Sequence, residues 1–150
     1  MDLNLKDKVI IVTGGARGIG EGISKTLAEE GAIPVIVGRD EEDNVRTVSD
    51  ILLSGGYASK VTIELDKPGH SELAVKMVMK EFDKIDGLVN NAGINDGVGL
   101  EFGNYRGFMQ SMHNNIVHYY LMTHYALPAL KKSKGSILNI SSMTAEAGQG

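Results

Sequence analysis

Residues Thr13–Gly20 read TGGARGIG, so four glycines fall within eight positions. The apolar run VIIV at 9–12 precedes them, and apolar residues with helical spacing follow at Ile19, Ile23 and Leu27. Glycine costs roughly 0.5–1 kcal/mol against alanine inside a strand or helix, so this cluster predicts a turn with special backbone requirements. A strand, a glycine-rich turn and a helix in this order favour pyrophosphate binding, because N–H groups and the helix dipole attract an anion there.

The rest of the chain alternates short apolar runs with longer amphipathic segments. We predict further strands at IPVIVG (33–38), KVTIEL (60–65), IDGLVNNAG (85–93) and GSILNISS (135–142), with Pro34 delaying the start of the first of these. The predicted apolar faces of the later helices are Val45, Val48, Ile51 and Leu52; then Leu73, Met77 and Phe82; then Ile116, Tyr120, Leu121 and Leu127. This alternation predicts an α/β fold in one domain over residues 1–150, a doubly wound parallel sheet of Rossmann-like type.

Composition excludes several classes of protein. The chain has 150 residues, a formal net charge of −4 and no cysteine, which argues against a disulfide framework and suits a reducing cytoplasm. We find no apolar run of membrane length, no leader-like start and no basic stripe for a nucleic acid. The histidines have no acid or second histidine at metal-ligand spacing, so we expect no metal site; they are His70, His113, His118 and His124.

Three motifs together resemble the short-chain dehydrogenase/reductase family. They are TGGARGIG, then NNAG at 90–93, then NISS at 139–142, and with the elements between them they cover almost the whole chain. The glycine spacing differs from the GxGxxG of the longer-chain dehydrogenases. The resemblance implies a nicotinamide cofactor held by Gly14, Gly18 and Gly20 at the turn, by the Ile19 N–H at the pyrophosphate, and by Asn90, Ala92 and Gly93 beside the adenosine ribose.

The resemblance also bears on the choice between NAD and NADP. Gly38 stands where an acid would bind the 2′-hydroxyl of NAD, and Arg39 follows it. Arg17 in the glycine turn is a second cation, and two guanidinium groups favour the 2′-phosphate of NADP, so we expect NADP in preference to NAD. The alternative is that Arg39 forms an ion pair with Asp40 or Glu41 on the surface. At the adenine, Glu64 and Leu65 occupy the family's Asp-Val positions, with Asp66 available if the register shifts.

For catalysis, the resemblance makes Ser142 the residue that orients the reacting oxygen and Asn115 the family's helix asparagine, with Asn114 as the register alternative. The family's base is a tyrosine followed four residues later by a lysine. No such pair occurs in this sequence, which stops at TAEAGQG. We therefore expect the first five βα units of a longer enzyme, with the C-terminal part missing and the fragment inactive.

The substrate expectation depends on a finer resemblance. The segments NNAGINDGVGLE (90–101), NNIVHYYLMTHYALPAL (114–130) and GQG (148–150) resemble short-chain sugar dehydrogenases that oxidise L-fucose. Asn95, Gln149 and Asp96 are then candidate partners for sugar hydroxyls, although polar loop residues are commonly only solvated. The family resemblance implies a homo-oligomer formed through the long helix around Asn115; a nucleotide-binding module without turnover is the alternative function.

A further apolar repeat precedes that helix. Its members recur at roughly helical spacing, which predicts packing, and the segment borders the substrate cleft that the resemblance implies. They are Phe102, Tyr105, Phe108, Met109 and Met112.

Overall fold

The fold is seen in a computed structural model that describes residues 3–143 and Ala147. Five parallel strands form one sheet in the order β3-β2-β1-β4-β5. The strands are β1 Val9–Thr13, β2 Ile33–Gly38, β3 Ser59–Thr62, β4 Gly87–Asn90 and β5 Ser136–Asn139. The helices are α1 Gly18–Glu29, α2 Glu41–Leu53, α3 His70–Phe82, α4 Tyr105–Met112 and α5 His118–Ser133. A π-helical turn, His113–Val117, joins α4 to α5.

Helices cover both faces of the sheet around β1 and β2. Every residue of β1 is buried. Val9 and Ile11 pack into a cluster with residues of α3 and α5, whereas Ile10 and Val12 lie in a second cluster with Ile23 of α1. Alternate side chains of a strand point to opposite faces, so a strand buried at every position is covered twice. The predicted doubly wound α/β fold is confirmed.

Pro34 lies inside β2, so the prediction that the proline delays the strand was wrong. The N–H of Ile33 donates to the carbonyl of Lys8, the residue before β1, 2.8 Å away. The nitrogen of Pro34 therefore points to the opposite edge, where pairing with β3 begins only at Val35 and Ser59. Proline lacks an N–H, and here no ladder hydrogen bond is required of it.

The helices turn smaller residues to the sheet than the periodicity predicts. On α3 the buried residues are Ser71, Ala74, Val75 and Val78, whereas Leu73 and Met77 are nearly half exposed. On α2 the buried residues are Asp43, Asn44, Thr47 and Ile51, and of the predicted face only Ile51 is among them. Small side chains let a helix approach a sheet closely, so the larger apolar residues lie on the helix flanks.

On α5, too, the buried face differs from the predicted one. Its buried residues are His118, Met122, Ala126 and Leu130, spaced four apart, while Ile116 and Tyr120 of the predicted face are exposed. The aromatic and methionine repeat before it does not pack either, because α4 has no buried residue. Within the described part of the chain, no helix combines the length and apolar character needed to cross a bilayer.

Candidate cofactor-binding site

The turn after β1 requires glycine for two different reasons. Gly14 and Gly18 have φ values of +64° and +52°, in the left-handed region that side chains other than glycine rarely adopt. Gly20 has no room for a side chain: a Cβ there would collide with the Gly14 carbonyl oxygen and lie 2.5 Å from Nδ2 of Asn91. The turn therefore depends on left-handed backbone conformation at Gly14 and Gly18 and on close packing at Gly20.

Side chains from α1 and α2 engage the carbonyl groups of this turn. Ser24 Oγ donates to the Gly15 carbonyl at 2.9 Å, and Arg46 and Thr47 donate to the Ala16 carbonyl at 2.9 and 3.3 Å. The first N–H groups of α1 have no partner within the helix, as at any helix start. With the carbonyls occupied, these N–H groups are the ones presented to a ligand.

Thr13 joins the glycine turn to the NNAG segment. Its Oγ1 accepts hydrogen bonds from the N–H groups of Asn91 at 2.9 Å and Ala92 at 3.0 Å. Asn91 Nδ2 donates in return to the carbonyls of Thr13 and Gly14, at 3.0 and 3.3 Å. Sequence reasoning missed both residues, although Thr13 lies in the glycine motif and Asn91 in NNAG. The available signal was a polar residue at the end of a buried strand.

The side chain of Asn90 points away from the cleft. Its side chain is fully buried, and Nδ2 donates to Asn139 Oδ1 at 2.9 Å and to Thr123 Oγ1 at 3.1 Å. The side chain therefore connects β4 to β5 and α5, and Asn91 rather than Asn90 borders the cleft. The reason is the alternation of a strand, which turns successive side chains to opposite faces.

A cleft of about 550 Å³ opens at the carboxyl ends of the strands. This is the edge where open α/β sheets bind ligands, beside the point where the strand order reverses. Its volume lies within the range of ligand sites in proteins, roughly 300–1,000 Å³. The predicted residues that line it are Gly14, Arg17, Ile19, Gly20, Arg39, Glu64, Leu65, Ala92 and Gly93. The remaining described candidates, Gly18, Asn90, Asn95, Asn115 and Ser142, are not in its lining.

The two candidate arginines differ in their surroundings. Arg17 forms ion pairs with Asp40, at 3.4 Å, and with Asp43. Arg39 is exposed and makes no ion pair with any residue in the described part of the chain. Asp40 instead caps α2 by accepting the N–H of Asp43 at 3.1 Å. The predicted alternative, an Arg39 ion pair with the acids that follow it, is therefore absent from this arrangement.

The far end of the cleft carries carboxylates and a buried histidine. The third strand ends at Thr62, earlier than predicted, so Glu64 and Asp66 lie beyond it at the cleft. The side chain of Asp66 is 28% exposed, against 52% for Glu64. Nε2 of His118 lies 2.9 Å from the Asn114 carbonyl, which can only accept, so this nitrogen carries the proton. Burial lowers the pKa of His118, which favours the neutral ring; the nearby Asp66 carboxylate acts in the opposite direction.

Asn115 holds the segment that leaves β4. Its Oδ1 accepts the N–H of Ile94 at 2.8 Å, and its Nδ2 donates to the Ser111 carbonyl at 3.1 Å. A Cβ on Gly93 would lie 3.0 Å from the same oxygen. It is the neighbouring Asn114 that borders the cleft. Ser142 is exposed in the segment that follows β5.

The candidate substrate residues lie in an exposed loop. Asn95 Oδ1 accepts the N–H of Gly97 at 3.3 Å, a local turn, and Asp96 accepts from Ser111 Oγ at 3.1 Å. Neither Asn95 nor Asp96 borders the cleft. Gln149 lies outside the described residues.

Comparison with known proteins shows which family this chain resembles. Residues 8–150 match the family described as short chain dehydrogenase. The L-fucose dehydrogenase of Rattus norvegicus is 35% identical over 143 residues, which are 95% of this chain and 52% of that protein. The chain thus spans about half the length of the curated relatives it matches.

Solved structures agree with the family match. The crystal structure of Cj0485 dehydrogenase is 45% identical with a TM-score of 0.89, covering 100% of this chain and 57% of that one. The NADH-dependent reductase A1-R′ complexed with NAD is 28% identical with a TM-score of 0.93, covering 100% and 65%. The glycine turn, the NNAG segment bonded to it and these similarities show that the chain belongs to the short-chain dehydrogenase family.

Proposed function

We propose that this chain forms the cofactor-binding part of an NAD(P)-dependent oxidoreductase that moves a hydride between nicotinamide and a hydroxyl or carbonyl group. The observation that carries the proposal is the hydrogen-bonded unit of the glycine turn and NNAG segment, which closes one side of the 550 Å³ cleft. The N–H groups at the start of α1 bind the pyrophosphate. The cofactor, when bound, supplies the hydride chemistry, and the chain positions it.

We propose NADP as the preferred cofactor. Gly38, at the end of β2, offers no carboxylate to a ribose 2′-hydroxyl, and Arg39 beside it is exposed without an ion pair among residues 3–143. A guanidinium in that state can engage a phosphate without first losing a carboxylate partner. Arg17 has the weaker claim, because Asp40 and Asp43 already hold it.

At the other end of the nucleotide, Leu65 and the two acids beside it are the candidates for the adenine. Asp66 is the more sheltered acid and lies near the buried His118, so it is better placed than Glu64 to make a fixed contact. A carboxylate removed from water forms stronger hydrogen bonds than an exposed one. The contribution of Gly93 and Ala92 is to let the ribose approach the backbone.

For the substrate side, we propose that Ser142 orients the reacting oxygen and that Asn115 keeps the segment at Ile94 in place. The substrate class is a small hydroxyl or carbonyl compound. A sugar such as L-fucose is supported by the name of the rat relative and by the sequence segments that match sugar dehydrogenases. Within the sequence, no tyrosine is followed four residues later by a lysine, so we assign no proton-transfer base to this chain.

We also propose self-association through the long helix. Apolar residues that recur at spacings of three and four lie exposed along α4, the π-turn and α5, and a row of this kind forms a continuous stripe on a helix. They are Tyr105, Phe108, Met112, Ile116 and Tyr120. A second copy of the chain presents the same stripe, which suits a two-fold symmetric contact.

The proposal is tested in the whole protein that contains this chain, by cofactor titration and hydride-transfer kinetics. Ser142→Ala should lower kcat by about 10²–10³-fold, as the loss of a positioned hydrogen-bond donor does, and should leave cofactor affinity unchanged. The matched control is Ser141→Ala, an exposed neighbour. Cofactor binding without hydride transfer would instead favour a nucleotide-binding module, and failure to bind either dinucleotide would contradict the proposal.

A further inference from the structure

Tyr119 reaches from α5 to the segment that carries Ser142. Its hydroxyl donates to the Ile140 carbonyl at 3.1 Å. The N–H of Ile140 donates to the Asn90 carbonyl at 2.9 Å. Ile140 is thus held on both sides of its Cα, once by the neighbouring strand and once by a side chain from the helix. Ser142 follows only two residues later.

Other hydrogen bonds near this one also join β4, β5 and α5. Asn90 Nδ2 lies 3.1 Å from Thr123 Oγ1 and 2.9 Å from Asn139 Oδ1. Thr123 and Tyr119 are four residues apart, so they lie on one face of α5. By contrast, the side chains of β5 are exposed at all four positions. The end of β5 is therefore placed by its pairing with β4, by the partial packing of Ile140 against the core, and by these polar contacts with α5.

The hydroxyl of Tyr119 is suited to a permanent donor role. Burial raises the pKa of Tyr119, so the hydroxyl keeps its proton at neutral and mildly alkaline pH. The ring of His118 contacts the Tyr119 ring edge-on, with centroids 5.1 Å apart, which restricts the ring orientation. A phenylalanine could fill nearly the same space but would leave the Ile140 carbonyl without this donor.

We propose that Tyr119 is a positioning residue, whose hydroxyl holds the Ile140 peptide and thereby sets the backbone that presents Ser142 to the substrate oxygen. The inference rests on the proposed function, because it gives Ser142 the orienting role. Two residues extend over at most about 7 Å, so the position of Ile140 limits where Ser142 can lie. Displacements of about 1 Å at a reacting centre can cost 10²-fold in rate.

The test compares Tyr119→Phe with Tyr57→Phe in the whole protein. Tyr57 lies between α2 and β3, is 53% exposed and borders neither the cleft nor the exposed stripe, which makes it the matched control. Loss of one neutral hydrogen bond should lower kcat about 3- to 10-fold in Tyr119→Phe, with KM and cofactor affinity unchanged. Tyr57→Phe should match the wild type in all three quantities.

Two further measurements separate positioning from general stability. Amide hydrogen exchange at residues 140–143 should become faster in Tyr119→Phe and not in Tyr57→Phe, whether or not the reaction is assayed. In a double-mutant cycle, Tyr119→Phe should cost nothing further once Ser142 has been replaced by alanine, because it acts through that serine.

The failures of the two proposals are distinguishable. An active wild type whose kcat and amide exchange are unaltered by Tyr119→Phe would overturn this inference alone. Equal losses of kcat from Tyr119→Phe in the wild type and in the Ser142→Ala variant would likewise overturn it, since the effect would not pass through the serine. A wild-type protein that binds cofactor but transfers no hydride would contradict the proposed function, and with it any role of Tyr119 in the reaction.

Discussion

The glycine turn and the segment that carries Ser142 differ in how much of their structure is fixed by contacts within residues 3–143. At the glycine turn, buried side chains occupy the carbonyls, and Thr13 joins the turn to the next loop. On the side of Ser142, β5 is exposed at every position and α4 has no buried residue. The comparison teaches that the proposed cofactor side is fixed by its own local backbone geometry, whereas the proposed substrate side depends on a few polar tethers.

The largest effect is expected from Gly20→Ala, which tests whether the cofactor side tolerates any change of shape. The new Cβ would collide with the Gly14 carbonyl oxygen and press on Asn91. Overpacking of this kind costs about 1–3 kcal/mol, and the atoms displaced here belong to the turn itself. Cofactor affinity should fall by about 10²-fold, measured by titration calorimetry.

Gly22→Ala is the matched control for that variant. Gly22 lies on the same helix, and a Cβ there meets nothing within 4 Å. Alanine should raise the free energy of unfolding by about 0.5–1 kcal/mol through helix propensity and leave cofactor affinity unaltered. Equal losses of affinity in the two variants would show that α1 responds as a whole and that the close approach at Gly20 is unimportant.

Arg39→Ala should weaken NADP binding by about 10- to 100-fold, the loss expected for one charged hydrogen-bonded contact, and leave NAD binding nearly unaltered. The control is Arg106→Ala, an exposed arginine on α4 away from the cleft. Binding constants for both dinucleotides, measured at one salt concentration, decide the matter. Equal weakening of NAD and NADP would show that Arg39 does not contact the 2′-phosphate.

A smaller effect is expected at the opposite edge of the sheet, where Asp86 accepts the Val9 N–H at 2.9 Å and pairs with Lys8 and Lys84 at 3.3 and 3.2 Å. Burial alone would raise the pKa of Asp86, but the Val9 N–H and the two ammonium groups outweigh it and lower the pKa. Asp86→Asn should reduce the free energy of unfolding by about 1 kcal/mol at pH 7.

The sign of the pH dependence follows from the lowered pKa. The carboxylate stabilises the fold above its unfolded pKa of about 3.9, and the contribution disappears as the pH falls through the lower folded value. The difference between wild type and Asp86→Asn in urea unfolding should therefore shrink on acidification below about pH 4. A difference that stays constant over this range would mean that the carboxylate charge has no part in stability.

The smallest effect on folding is expected at the exposed stripe. Phe108→Ser should alter the free energy of unfolding of the monomer by less than about 0.5 kcal/mol, since Phe108 is half exposed. The same change should shift the whole protein towards monomer in light scattering. Leu53→Ser, at an exposed residue of α2, should leave the oligomeric state unaltered. A monomeric wild type would contradict the proposed self-association.

The strands and the glycine turn were predictable because their signals are local. The unbroken apolar run at 9–12 belongs to a strand covered on both faces, and the positive φ at Gly14 explains why a glycine stands there. The cleft followed from topology, since parallel strands of a doubly wound sheet end at one edge.

The rest depended on distances that a sequence does not contain. Periodicity favours large apolar residues such as Leu73, yet Ala74 faces the sheet because a close approach needs a small side chain. The choice between Asn90 and Asn91 at the cleft required the strand's alternation to be placed to within one residue. The ion pairs that hold Arg17 join the glycine turn to the start of α2, and neither residue spacing nor composition indicates them.

The π-turn fixes the number of residues between three anchors of the long helix. Ahead of it stands the Asn104 cap of α4, within it Asn115 meets Ile94, and behind it Tyr119 meets Ile140. Each α-helical residue turns the chain by about 100°, so deleting one residue at 113–117 would set the anchors behind the turn out of phase with those before it. Relatives and designed variants should thus tolerate substitutions in this segment more readily than any change in its number of residues.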